Sequence, residues 1–129
     1  MSRGIEAAGA AEARFADWVG AIERALAPGE RYTATCAGEQ TDFARLNRGK
    51  VRQAGSVAQN ELSIRLVRGI RHAEHALAMS GDGEADRDAI ADAIAGLRDA
   101  LPDLADDPHL LLPDRVESTR VVRAGSLPP

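Results

Sequence analysis

A chain of 129 residues with 44% hydrophobic residues and a net charge of −4 suits one domain with a modest core, and its acidic balance argues against a generally basic nucleic-acid binder. Only Phe15, Trp18, Tyr32 and Phe43 are aromatic, and the lone Cys36 excludes an internal disulfide and fits a reducing, cytoplasmic setting. No apolar run approaches the roughly 20 residues of a membrane span, and residues 5–16 carry Glu6, Glu12 and Arg14, which no signal peptide would.

The predicted elements begin with an amphipathic helix over residues 5–27. Phe15, Trp18, Val19, Ile22 and Leu26 recur at three- and four-residue spacing, and Pro28-Gly29 ends it. From Glu30 the period changes to two. "ERYTATCAG" predicts a first strand and "TDFARLN" a second. A turn is expected at "NRGK", where Asn47 and Gly49 tolerate positive φ, and "VRQAGSVAQ" follows as a third strand with a possible bulge at Gly55. "NELSIRLVRG" alternates Leu62, Ile64 and Leu66 with Ser63, Arg65 and Val67; Gly69 then turns the chain into a fifth strand, "IRHAEHALAMS". After "SGDG", a helix from about residue 84 to 101 carries the stripe Ile90, Ile94, Leu97 and Leu101, with Asp82 near its cap and Pro102 as its stop.

The expected fold is therefore α+β: an antiparallel sheet of four to five strands with two helices packed on one face. Residues 1–105 form the domain, and residues 106–129, broken by prolines, form an extended connecting tail toward a further C-terminal domain. Ile22, Leu26, Leu62, Ile64, Leu66, Ile90, Ile94 and Leu97 are the candidate core. The second sheet face carries Arg45, Ser63, Arg65 and Arg52, and is either wet or covered from outside.

Charge is segregated along the chain. Residues 45–71 hold seven cations (Arg45, Arg48, Lys50, Arg52, Arg65, Arg68 and Arg71) against Glu61, whereas residues 82–107 hold nine acids against Arg87 and Arg98. Such blocks face either each other or different partners. The basic hairpin 45–71 is the candidate surface for a small single-stranded nucleic-acid-binding or self-assembling module. Sheet-based binders of single strands need aromatic platforms, and that block has no aromatic residue, Phe43 just before it being the only candidate platform, which argues against nucleic acid. His72 and His75 flank Glu74, but on a strand they point to opposite faces, not together as zinc ligands on a helix would. Cys36 has no legible His-plus-acid partner, and Asp106 and Asp107 read as a solvated acidic pair. No metal site and no catalytic residue is assigned.

The stretch "FARLNRGKVRQAGSVAQNELSIRLVRGIRHAEHALAMSGD" resembles the N-terminal domain of the TldD/PmbA family, also called modulators of DNA gyrase. Phe43, Arg45, Asn47, Gln53, Ser56, Arg65, Gly69 and Arg71 match its pattern, as does the tail "LRDALPDLADDPHLLLPD" followed by "STR". "HAEHA" departs from it, standing where the family has small residues. The resemblance implies a non-catalytic N-terminal domain of a metalloprotease-related assembly, which helps form a peptide-binding cleft and subunit contacts in proteolysis of unfolded peptides. It implies zinc only in the family's C-terminal domain, on a His-Glu-x-x-x-His helix, so no cofactor is expected here. It also implies a metalloprotease C-terminal domain or partner subunit as partner, with Arg45, Ser63 and Arg65 as the peptide-facing residues.

Overall fold

A computed structural model describes residues 2–123 and 125, with side-chain surroundings from residue 9 onward. The order is α1 (Ser2–Ala25), β1 (Glu30–Asn47), β2 (Lys50–Arg68), β3 (Arg71–Ala78), α2 (Gly83–Ala100) and a 3-10 turn (Leu101–Asp103). The fold is α+β, with an antiparallel sheet ordered β1-β2-β3. The tail residues 124 and 126–129 lie outside the described residues.

The sheet has three strands, not the expected four to five, because two predicted pairs are single long strands. "ERYTATCAG" runs unbroken into "TDFARLN" as β1, and "VRQAGSVAQ" into "NELSIRLVRG" as β2. The ladder passes straight through the supposed breaks, pairing Gly38 with Asn60 and Glu39 with Gln59. Gly55 is not a bulge. It stands opposite Phe43, whose ring lies so close that an added Cβ would meet it at 3.0 Å. The aromatic ring thus covers the backbone that glycine leaves bare. The register shift falls instead at Arg45/Leu46, leaving Arg52 without a partner in the ladder. In the β1–β2 turn it is Arg48 and Gly49 that take positive φ, at 53° and 72°, as a two-residue hairpin turn matched to strand twist requires.

Both helices pack on one face. Trp18, Ala21 and Ile22 of α1, Leu62, Ile64 and Leu66 of β2, and Ile90, Ile94 and Leu97 of α2 form one buried cluster with Leu101. Leu26, expected in the core, is only partly buried, since it follows the end of α1 and no longer shares its inward stripe. Fully burying each Leu or Ile contributes roughly 1.5–3 kcal/mol.

Two buried carboxylates lock the layers. Glu30 receives Arg98 in a two-pronged pair (2.7 and 2.8 Å) and the Ala27 N–H, while Arg98 also donates to the Ala25 carbonyl. This ties the end of α1, the start of β1 and the end of α2 at one point. The Arg98 hydrogen bond outweighs burial and holds the Glu30 carboxyl below its usual range. Asp86, also buried, accepts from Ser80 N, Ser80 Oγ and Gly81 N at 2.7–3.0 Å, while Asp82 caps α2 through Glu84 N and Ala85 N.

The opposite sheet face is not bare where β2 meets β3. Val67 points that way, yet it is fully buried. His72, its cross-strand partner, bonds Asp107 of the tail at 2.8 Å. Asp107 N donates to the Ile70 carbonyl, and Arg71 reaches Asp106 and the Pro102 carbonyl. The tail of the chain itself therefore lies against this end of the face.

Candidate functional site

The helices cover only the sheet end around residues 62–66. Beyond residues 37 and 61, β1 and β2 continue alone as a two-stranded arm, with every residue from 37 to 59 exposed. Eleven residues of β2, from Lys50 to Asn60, give the arm a length of roughly 35 Å.

At the root of this arm lies a groove of about 570 Å³. One wall is α1, through Ala11, Arg14, Phe15 and Trp18; the other is β1, through Ala34–Thr35–Cys36 and Gly38–Glu39–Gln40, with Ala58 and Asn60 behind. Consecutive β1 residues line it, although their side chains alternate between faces, so the strand's backbone edge is itself a wall. In the strand order β1 is an edge strand, and an edge presents unpaired N–H and C=O groups. The small side chains Ala34, Gly38 and Ala58 leave the width; Phe15 and Trp18 make it apolar. Cys36 faces the groove from the core side, where burial pushes its thiol pKa up against the opposing pull of Arg14. A thiol held protonated is a poor nucleophile. At the far end of the core, burial and the hydrogen bond to Glu23 push the Tyr32 hydroxyl up to about 12.

Arg45, Ser63 and Arg65 all fall on the sheet face opposite the helices, as expected, but they do not form one site. Gln53, the partner of Arg45, is twelve residues from Arg65 along β2, roughly 40 Å. Arg65 is engaged by Glu74 at 3.0 Å across the β2–β3 pair. Its Nε is buried with no hydrogen-bond partner. Ser63 sits between Thr35 and Ala76 on the same face. None of the three lines the α1–β1 groove.

His72 and His75 pair with Val67 and Ile64 and so point to opposite faces. His72 serves the tail contact, where its hydrogen bond lowers the Asp107 pKa. Among the described residues no three His, Cys, Asp or Glu side chains converge to hold a metal ion. No described helix is long and apolar enough to cross a membrane.

The tip of the arm gathers Arg45, Arg48, Lys50 and Arg52, all exposed and none in an ion pair among the described residues. Phe43 and Val57 lie exposed on one face of the arm, Leu46 and Val51 at its tip. The groove residues escaped sequence reasoning because Ala11, Ala34 and Ala58 carry no chemical signal; only Phe15 and Trp18 stood out, as part of the apolar stripe of the first helix. No family model, curated protein or solved structure matches this chain.

Proposed function

We propose that this chain is a non-catalytic peptide-binding module, of the kind found at the N-terminus of TldD/PmbA-type metalloproteases. The observation that carries the reading is the groove in which the unpaired edge of β1 runs beside Phe15 and Trp18. An extended peptide added to such an edge gains main-chain hydrogen bonds that place little demand on its sequence, while an apolar wall takes alternate side chains. That combination suits capture of unfolded segments. The cleft residues move accordingly from Arg45, Ser63 and Arg65 to the α1–β1 groove, with Arg14 at its rim as the cation available to a carboxylate-bearing peptide. Catalysis belongs, on this reading, to a metalloprotease domain or subunit that the module serves.

Trp18 is the only tryptophan, so it reports on the groove directly. Titration with reduced, alkylated casein peptides should change Trp18 fluorescence and shift backbone amide resonances of residues 11–18 and 34–40. Ala58→Arg, which fills the groove floor from an exposed strand position, should weaken binding at least tenfold without loss of fold. Shifts confined to the open face around Ser63 and Arg65, or no binding at all, would refute the groove as the peptide site.

A further inference from the structure

The β1–β2 arm is a charge dipole. Its tip holds Arg45, Arg48, Lys50 and Arg52, while its root holds Glu39 and Glu61, near neighbours across the β1–β2 ladder on the face opposite the helices. All of these side chains are exposed, and among the described residues none of them is in an ion pair. The two ends lie roughly 35 Å apart along a stiff ladder, well beyond the Debye length of about 8 Å at physiological salt. Tip and root therefore cannot neutralise each other within one chain. A two-stranded ribbon is also only marginally stable unsupported, and this one exposes Phe43, Val57, Leu46 and Val51.

We propose that the occupant of this surface is the arm of a second copy, laid antiparallel so that each cationic tip meets the acidic root of the other. The arrangement is two-fold and closed: the same patch is used twice, and nothing remains to propagate a filament. It keeps the two tips apart, removing the repulsion that opposes any tip-to-tip pairing. It also covers the apolar side chains midway along the arm. The aliphatic character of Leu46, Val51 and Val57 favours a protein surface over nucleic acid, which would want stacking rings. Area sets the strength. A ribbon about 10 Å wide and 35 Å long offers roughly 350 Å² per copy, well below the roughly 800 Å² per partner of a standard stable interface. The dimer is accordingly weak and carried by charge.

Sedimentation of the full chain should show the average mass rising from one chain toward two as concentration climbs to about 1 mM at low salt, and returning to one chain in about 1 M salt, where screening acts over about 3 Å. The decisive experiment uses two variants, each first shown to be folded by the Trp18 emission and circular dichroism. Arg45→Glu/Arg48→Glu/Lys50→Glu/Arg52→Glu makes both ends of the arm acidic; Glu39→Lys/Glu61→Lys makes both ends basic. Each should stay monomeric alone, and their equimolar mixture should associate at least tenfold more tightly than either, because every contact is again between opposite charges. A wild-type chain that stays monomeric throughout, an acidic-arm variant that dimerises unchanged, or a mixture no better than its components would overturn the proposal. So would tight, salt-graded binding of a single-stranded oligonucleotide by a monomeric chain, which would assign the tip cations to a polyanion.

Discussion

Replacing Asp86 with Ala tests whether one carboxylate holds the β3–α2 connection against the core. In the wild type this side chain accepts three hydrogen bonds, from Ser80 N, Ser80 Oγ and Gly81 N. Burial alone would raise its pKa, but the hydrogen bonds from the Ser80 side chain and backbone and from Gly81 outweigh burial and hold it below its usual value. The charged form is therefore the form the fold prefers. Hydrogen bonds to a charged group are worth about 1.5–3 kcal/mol each, and a donor stranded in the interior costs about 1–3 kcal/mol. Removing the carboxylate also removes its desolvation cost, so the net loss should be about 2–4 kcal/mol. By contrast, Asp82→Ala, which deletes only the exposed helix cap, should cost about 1 kcal/mol. Urea unfolding followed by Trp18 emission provides the assay. With a slope of about 1–3 kcal/mol per M, the Asp86→Ala midpoint should fall by about 1–2 M. The pH dependence has a definite sign: a lowered folded pKa gives stability that is present above the unfolded value of about 3.9 and lost as pH falls below it, and Asp86→Ala should lose its share of that acid sensitivity. A midpoint within about 0.5 M of wild type, or a fall no larger than that of Asp82→Ala, would refute the role given to Asp86.

Ile64→Ala removes a fully buried side chain at the centre of the sheet and should cost about 2–5 kcal/mol by the same urea assay. Arg98→Ala strands the Glu30 carboxylate, whose side chain is only 1% exposed, and should cost about 3–5 kcal/mol; thermal melts would show the loss shrinking in Arg98→Ala/Glu30→Gln. The purified chain, dialysed exhaustively, should hold no stoichiometric zinc by elemental analysis and cleave no unfolded casein; one tightly bound zinc per chain would reopen His72 and His75.

Much of the helical layer is legible from spacing alone. Ile22, Ile90, Ile94 and Leu97 stand at helical intervals and all prove buried, as do Leu62, Ile64 and Leu66 at strand intervals. The strand count was not legible, because Gly38, Gly55 and Asn60 are residues that locally signal a break. What overrides that signal is cross-strand: the Phe43 ring over Gly55, and an unbroken ladder through Gly38 and Asn60. The face of each candidate residue followed from alternation, so Arg45, Ser63 and Arg65 were placed on the correct side. Their separation did not follow, since it depends on how far the hairpin extends. Nor did the burial of Val67, which rests on a His72–Asp107 contact between residues 35 apart in the chain.

The arm that outruns its helices also divides the molecule kinetically. Backbone amides near Leu62, Ile64 and Leu66 are sealed under both helices and can trade their hydrogens for deuterium only when the whole domain opens. Amides paired between residues 40–46 and 51–58 need only the ribbon to part, starting from a turn that holds Arg48 at positive φ. A single strand, β2, thus passes from the slowest-exchanging to among the fastest-exchanging ordered segments within about a dozen residues. Half of that strand belongs to the domain's cooperative unit, and half opens and closes on its own clock.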